Sequence, residues 1–123
     1  MRDNMIYQNH EEFEKELEKL KKEYNGKMGC FVSLSGFVRD YHFKEGKKTP
    51  AESMDLSKID YDIIEEIRQK AIEKFGLLDA IVYHNKGILK VGDLVSSITV
   101  FTKHRDEAFL ACRYIIDEIK RYH

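Results

Sequence analysis

The stretch AIVYHNKGILKVGDLVSSITVFT, residues 80–102, constrains the fold of this chain more than any other. It is rich in β-branched and apolar residues, and it is interrupted at Asn85-Lys86-Gly87 and again at Gly92-Asp93. Such interruptions are typical of turns between strands, so the stretch predicts two or three consecutive strands. Strands that follow one another through short turns pair mainly antiparallel. The sequence therefore predicts a mainly antiparallel sheet.

Three other segments have the apolar spacing of amphipathic helices. The first predicts a helix over about 10–24, with Asn9 in a capping-box pattern at its start. The second covers 63–75 and ends at Gly76, a residue typical of a helix C-terminus. The third predicts a helix from about His104 to Arg121. Helices on either side of an antiparallel sheet place the chain in the α+β class.

The chain between the first two helices is less regular. GCFVSLSGFVRD predicts a strand from Cys30 to Arg39, in which Gly36 marks either a bulge or a close backbone approach. YHFKEGKKTP, residues 41–50, is polar and basic and ends in the only proline, so it predicts a mobile loop. A short strand is expected around Ser53 to Leu56.

Composition limits the function further. A chain of 123 residues predicts one domain over 1–123, and a net charge of −1 gives no reason to expect nucleic acid or a membrane as partner. No apolar run or targeting pattern is visible, so a cytoplasmic protein is expected. Cys30 and Cys112 fit no metal spacing and are expected to be buried free thiols. With no nucleotide fingerprint either, neither a metal nor a cofactor is predicted.

The last helix carries five basic residues: His104, Arg105, Arg113, Lys120 and Arg121. At about 100° per residue, its apolar side chains collect on one face. That face consists of Ala108, Phe109, Ala111, Cys112, Ile115, Ile116 and Ile119. Arg105 falls inside this face, Arg113 and Lys120 lie along one border of it, and Arg121 points away. Arg105, Arg113 and Lys120 therefore form a stripe beside the core, with His104 at its upper end. Solvated side chains that pack their stems on the core produce the same pattern.

The start of the last helix indicates an anion site. Helix N-termini favour acidic residues, and Lys103, His104 and Arg105 oppose that preference. A carboxylate or phosphate bound at the free N–H groups would explain the cations. Arg39 at the end of the predicted strand is a further candidate, or a solvated strand-end arginine. His84, which also ends a strand, is interpreted as a structural hydrogen-bonding residue.

Three motifs identify a family that the chain resembles. GFVRD, YHNKGILKVGD and KHRDEAFLACRYIIDEIK occur in this order between about Gly29 and Lys120. They are similar in sequence and spacing to motifs of the large catalytic subunit of molybdopterin synthase. Those motifs read G-x-V-R-D, then H-x-x-G-x-L-x-[VI]-G-[DE], then H-R-x-x-A-F-x-A-C-R-Y-x-[IV]-D-x-[LI]-K. The resemblance implies an α/β-hammerhead-like variety of the α+β class.

The resemblance also implies a reaction and partners. The family's enzyme transfers sulfur to cyclic pyranopterin monophosphate, forming the dithiolene that later binds molybdenum or tungsten. The sulfur arrives as a thiocarboxylate on the C-terminal Gly-Gly of a small ubiquitin-like partner subunit. The implied assembly is a heterotetramer, built on a homodimer of the large subunit. Carried over by position, Arg39, His104 and Arg105 would bind the substrate phosphate, Lys120 would be the catalytic lysine, and Arg113 would give structural support.

Two segments depart from the family pattern. Family members continue after the last helix with a segment resembling P-x-W-K-[KR]-E, which adds a second active-site lysine, whereas this sequence stops at Tyr122-His123. MDLSKID stands where the family has a segment like L-E-Y-E-A-Y. The chain is therefore either a sulfurtransferase with a reduced site or a non-catalytic paralogue that acts as a binding or assembly module. An unrelated anion-binding module remains only if the motif match is accidental.

Overall fold

The computed structural model describes residues 6–123, except for the side chains of Ile6 and Lys44. In this part of the chain no helix is long and apolar enough to cross a membrane. The elements are, in chain order, β1 (Ile6–Tyr7), α1 (His10–Glu23), β2 (Cys30–Phe37), β3 (Tyr41–Lys44), β4 (Lys47–Pro50), β5 (Ser53–Leu56), α2 (Tyr61–Phe75), β6 (Asp79–His84), β7 (Gly87–Lys90), β8 (Leu94–Thr102) and α3 (Arg105–Lys120).

The main sheet has the strand order β1-β6-β8-β2. Strand β8 pairs antiparallel with both β6 and β2, and only the short β1 runs parallel to its neighbour β6. The predicted α+β class with a mainly antiparallel sheet is confirmed. The predicted bulge is also present, because the register of β2 shifts between Gly36 and Phe37. Strand β2 ends there, two residues earlier than predicted.

The helices cover the two faces of this sheet unequally. Side chains alternate along a strand, so Ile81 and Tyr83 of β6 pack with α1, and Ala80 and Val82 pack with α2 and α3. All six residues of β6 are buried. The larger core therefore lies between the sheet and the α2–α3 layer, and the end of β6 reaches into that layer.

The ends of the helices agree with the sequence to within one residue, except that α2 begins at Tyr61, two residues before the predicted start. The Asn9 side chain accepts hydrogen bonds from the N–H groups of Glu11 and Glu12 and begins α1. Gly76 ends α2 in the left-handed conformation, with φ 61°, as expected for a C-terminal glycine. His104 and Arg121 flank α3. The short strand at Ser53–Leu56 and three strands between Asp79 and Thr102 are confirmed as well.

The prediction of a mobile loop over 41–50 is wrong. This segment is a β-hairpin in which β3 and β4 pair from Tyr41–Pro50 to Lys44–Lys47. Glu45 and Gly46 form its two-residue turn with φ of 53° and 77°. Two successive positive φ angles give a turn whose twist matches that of paired strands. The high charge of the segment hid this turn, since charge is only a correlate of loops.

The apolar face of α3 is narrower than the sequence indicated. Ala108, Ala111 and Ile115 are fully buried, but Phe109 keeps 62% of its surface exposed. The helix packs on β8, β2 and α2, and Phe109 lies outside that contact. Arg105, placed inside the apolar face from its angle, is exposed because it precedes the part of the helix that is covered. Both cysteines are free thiols and Cys112 is buried, as expected, but Cys30 is only half-buried.

Candidate functional site

A cleft of about 480 Å³ opens where the bulged end of β2, the β3–β4 hairpin, β5 and the C-terminal end of α3 meet. Its walls are mostly apolar, and its charged lining residues are basic. Among the described residues that line it, none is Asp or Glu. The lining consists of Leu34, Ser35, Gly36, Phe37, Val38, Arg39, Tyr41, His42, Ala51, Ser53, Met54, Val95, Ser96, Ile116, Lys120 and His123.

Arg39 reaches this cleft because the chain leaves β2 through the bulge. The neighbouring Val38 is buried, and its backbone is fixed by hydrogen bonds to Asp93 (2.9 Å) and from Gly92 (2.8 Å). The guanidinium carbon of Arg39 lies 5.1 Å from the centre of the Tyr41 ring, a cation–π distance. The exposed guanidinium is thus attached to a rigid backbone and oriented by the hairpin.

Lys120 lines the same cleft as the last residue of α3. Its neighbour Ile119 is buried in the core, which fixes the helix end, while the Lys120 side chain remains exposed. The structure therefore brings two of the predicted site residues together. Arg39 and Lys120 are called the cleft group below.

His104 and Arg105 lie at the other end of α3, beside a different recess. Fifteen residues of helix separate Arg105 from Lys120, which corresponds to about 22 Å. His104 occupies the N-cap position without forming a side-chain cap, so its ring is not engaged at the helix start. Both residues are exposed. They are called the helix-start group below, and within one chain they do not reach the cleft.

Glycine at position 29 fixes the approach to this helix start. Its N–H donates to the carbonyl of Thr102 at 2.8 Å, and a Cβ there would clash with the carbonyl oxygen of Lys103. The Thr102 hydroxyl donates to the carbonyl of His104 at 2.7 Å. The backbone of the helix-start group is therefore held against β2, and its basic side chains remain available.

His123 also lines the cleft, although it was not predicted as a site residue. Its Nε2 lies 3.1 Å from Nε2 of His84, and Nδ1 of His84 lies 2.7 Å from the carbonyl oxygen of Asn85. The prediction that His84 is a structural hydrogen-bonding residue is confirmed. A usable signal was the spacing, since His123 follows Lys120 by three residues, close to one helical turn.

Both of these histidines favour the neutral state. Burial lowers the pKa of His84, and its hydrogen bond with Asn85 opposes this only in part. The pKa of His123 is lowered to about 4 by partial burial of its ring, by His84 and by the charge of Lys120, although the residue as a whole is exposed. Arg39 and Lys120 therefore supply positive charge at the border of the cleft. An apolar cleft bordered by two cations suits a ligand that combines a flat or apolar body with negative charge.

These features define an α+β protein with a basic cleft at the junction of its edge strand and its last helix. Among the described residues there is no cluster of three or more His, Cys, Asp or Glu that could hold a metal ion. The family model described as MoaE protein matches residues 6–122. The chain belongs to the MoaE family.

Individual relatives agree with this family assignment. A protein of Methanocaldococcus jannaschii, described as uncharacterized, is 44% identical over 122 residues, which cover 97% of this chain and 100% of the relative. The molybdopterin synthase catalytic subunit of Pyrococcus abyssi is 37% identical over 94 residues, or 76% of this chain. The chain spans 62% of the length of that subunit.

A solved structure has the same fold. It is a complex of subunits 1 and 2 of molybdopterin-converting factor from Helicobacter pylori, with a TM-score of 0.59 and 18% identity. The match covers 87% of this chain and 70% of the other chain. At this identity the likeness concerns the fold alone, and it agrees with the α+β class derived from the sequence.

Proposed function

We propose that this chain is the catalytic subunit of a molybdopterin synthase and works in the cytoplasm. It transfers sulfur from the C-terminal thiocarboxylate of a small ubiquitin-like subunit to cyclic pyranopterin monophosphate. The observation that carries the proposal is the cleft shared by Arg39 and Lys120 in a chain of the MoaE family. The name of the Pyrococcus relative supports the catalytic role, and the Helicobacter complex supports a small-subunit partner.

The charges of the cleft suit both substrates. Arg39 provides a planar guanidinium, which forms two parallel hydrogen bonds with a phosphate. The ammonium of Lys120 is a compact donor for a thiocarboxylate or for an oxyanion that develops from it. The apolar walls, including Val38, Met54 and Ile116, provide surface for a fused ring. A Gly-Gly tail has no side chains that would fill the space.

The proposed transfer has two chemical steps for each sulfur atom. The thiocarboxylate sulfur forms a bond to a side-chain carbon of the pterin, which loses an oxygen leaving group. Water then hydrolyses the thioester: its oxygen stays on the carboxylate of the carrier, and the sulfur stays on the pterin. Two such transfers give the dithiolene. Lys120 stabilises negative charge at the carbonyl and supplies a proton from Nζ, and the cleft holds the two substrates in register.

The separation of the two groups of predicted residues bears on assembly. About 22 Å of helix lies between Arg105 and the cleft group, so one small ligand cannot contact both groups of the same chain. In a homodimer, one phosphate could contact the cleft group of one copy and the helix-start group of the other copy. Within a single chain this is not possible. Strand β2 is an unpaired edge of the main sheet, with Phe37 58% exposed, and Ile88 of β7 is 72% exposed. These apolar surfaces support the homodimer.

The second candidate function is a non-catalytic paralogue that binds the same partner. It is favoured by the segment MDLSKID, which stands where the family motif reads differently. Such a chain would bind the small subunit without transferring sulfur. The two candidates therefore predict the same complex and differ only in turnover.

The decisive experiment mixes the purified chain with a thiocarboxylated small subunit and cyclic pyranopterin monophosphate. We expect dithiolene product in a single turnover, together with conversion of the carrier thiocarboxylate to carboxylate. The same carrier with an ordinary C-terminal carboxylate is the matched control and should give none. A stable complex without any product would favour the paralogue, and the absence of a complex would contradict both candidates.

A further inference from the structure

The hydrogen bond between His84 and His123 connects the end of β6 to the end of α3. His84 is fully buried as the last residue of β6, and its own carbonyl accepts a hydrogen bond from the Tyr61 hydroxyl at 3.0 Å. His123 follows α3 and lines the cleft. Their ring centres lie 5.2 Å apart at an angle of 74°. The contact therefore joins a rigid interior position to the border of the cleft.

The partners of His84 determine which nitrogen carries each proton. The carbonyl oxygen of Asn85 can only accept, so Nδ1 of His84 carries hydrogen. A neutral His84 then has a bare Nε2, and this nitrogen accepts from Nε2–H of His123. His123 can gain a proton at Nδ1 without losing this bond. If His84 also gains a proton, at Nε2, two Nε2–H donors face each other unless His123 is neutral and carries its hydrogen on Nδ1.

Backbone hydrogen bonds connect His123 to Lys120. The N–H of His123 donates to the carbonyl of Lys120 at 3.2 Å, and the N–H of Tyr122 donates to the carbonyl of Ile119 at 3.0 Å. The last turn that follows α3 is thus closed on Lys120 itself. Fixing the His123 ring fixes this turn, and with it the position from which the Lys120 side chain enters the cleft.

We propose that His123 is a positioning residue for Lys120, held by the buried acceptor Nε2 of His84. That Lys120 is catalytic rests on the proposed function. That His84 holds His123 in place does not. The groups that face the His123 ring are His84 from β6 and Lys120 from α3, and the lowered pKa of both histidines is consistent with a neutral pair near pH 7.

The test compares three variants of the full chain. His123→Leu removes the donor, His123→Gln restores an N–H at the position of Nε2, and Tyr122→Leu changes an exposed neighbour in the same turn as a control. In single-turnover sulfur transfer we expect His123→Leu to be slower by about ten- to a hundredfold, the range for a misplaced catalytic group. Affinity for the small subunit should be unchanged. His123→Gln should recover most of the rate, and Tyr122→Leu should match the wild type.

A second measurement does not depend on turnover. Lys120 is labelled by reductive ¹³C-methylation, and its NMR signal is assigned by its absence in Lys120→Arg. We expect a broad, shifted signal in the wild type, in Tyr122→Leu and in His123→Gln, and a narrow signal near that of free lysine in His123→Leu. Unchanged signals in His123→Leu overturn the positioning role, whether or not sulfur is transferred.

The two measurements also separate failure of this inference from failure of the proposed function. A wild-type chain without transfer contradicts the proposed function, while the labelled lysine still decides the positioning role. Wild-type transfer that is lost in Lys120→Ala but retained in His123→Leu supports the function and overturns the positioning role. Ring ¹⁵N spectra at pH 7 give a third check, since a protonated Nε2 on His84 contradicts the proposed direction of the hydrogen bond.

Discussion

Arg39 and Lys120 line the same cleft, although one follows the edge strand β2 and the other ends the last helix. The bulge after Gly36 turns the chain at Arg39, and burial of Ile119 fixes the helix at Lys120. Each cation is therefore attached to a rigid backbone. For the proposed sulfur transfer this arrangement is useful, because it would hold the phosphate of one substrate and the thiocarboxylate of the other at fixed positions.

The phosphate assignment predicts a loss of affinity in two variants. Arg39→Ala and Arg105→Ala should each weaken binding of cyclic pyranopterin monophosphate by about 1.5–3 kcal/mol, the range for a hydrogen bond to a charged group. Both side chains are exposed, so the fold should survive. Isothermal titration calorimetry measures the affinity. Arg113→Ala is the control, because this exposed residue pairs with Asp117 at 3.8 Å and does not line the cleft. Equal affinity in all three variants contradicts the assignment.

The separation of the two groups predicts complementation between inactive variants. One chain carries Arg39→Ala and Lys120→Ala, and the other carries His104→Ala and Arg105→Ala. If each site is shared by two copies of a symmetric dimer, a mixed dimer has one intact site, and an equal mixture recovers about a quarter of the wild-type activity. Each variant alone should be inactive. If mixing after subunit exchange restores nothing, the site is not shared between copies.

Much of the fold could be predicted because the local sequence preferences agree with the conformations that the folded chain adopts. Gly76, Asn9 and the glycine turns act through backbone conformation, which is independent of distant contacts. Strand β1 was missed, since two residues give no pattern and its pairing with β6 depends on residues far along the chain. The β3–β4 hairpin was missed because its side chains are mostly exposed and no alternation of burial marks it.

The candidate site was predictable only in part. Angles around a single helix place Arg113 and Lys120 on one border, but they do not show what lies opposite that border. The structure places Arg39 in the same cleft as Lys120 and leaves Arg113 in solvent, paired with Asp117. The contact of His123 with His84 joins residues 39 positions apart in sequence. The spacing of apolar residues in the sequence does not predict such a pair. The contact depends on how the end of α3 packs against β6.

The turn of the hairpin predicts a local effect on binding. Gly46 has a φ of 77°, which strains any residue with a branched Cβ, so Gly46→Val should open the β3–β4 pairing at a cost of about 1–3 kcal/mol. Because Tyr41 of this hairpin contacts Arg39, pterin affinity should fall while the main sheet stays intact. Gly46→Asn, which tolerates a positive φ, is the control. Amide hydrogen exchange over 41–50 reports the opening, and unchanged protection in Gly46→Val contradicts it.

The histidine pair predicts a loss of stability in acid. The pKa of His123 is about 4 in the folded chain, against an ordinary value near 6.5 in the unfolded chain. Between these values the unfolded chain binds more protons, so stability is complete above about pH 6.5 and falls as the pH decreases towards 4. The pKa of His84 is lowered in the same direction. Urea unfolding from pH 7.5 to 5 should therefore show a steeper loss for the wild type than for His123→Gln. If the free energy of unfolding falls equally with pH in the two proteins, the lowered pKa of His123 is contradicted.

The last prediction concerns Lys120, where a solvated helix-end lysine and a catalytic one differ most. A solvated lysine can be replaced by Arg or Met within about 0.5 kcal/mol of stability and without chemical effect. A catalytic lysine must be a compact amine that can release a proton, and the guanidinium of Arg stays protonated and is bulkier.

We therefore expect Lys120→Arg and Lys120→Ala to fold and to bind the small subunit, yet to lose at least about a hundredfold in single-turnover transfer, the low end for a positioned acid–base group. Arg121→Lys is the matched control, since Arg121 contacts Glu118 at 3.3 Å on the outer side of the helix. Its transfer rate should equal that of the wild type. Near-normal transfer by Lys120→Arg would return Lys120 to the role of a solvated residue at the end of its helix, because a permanently protonated side chain cannot replace a proton donor.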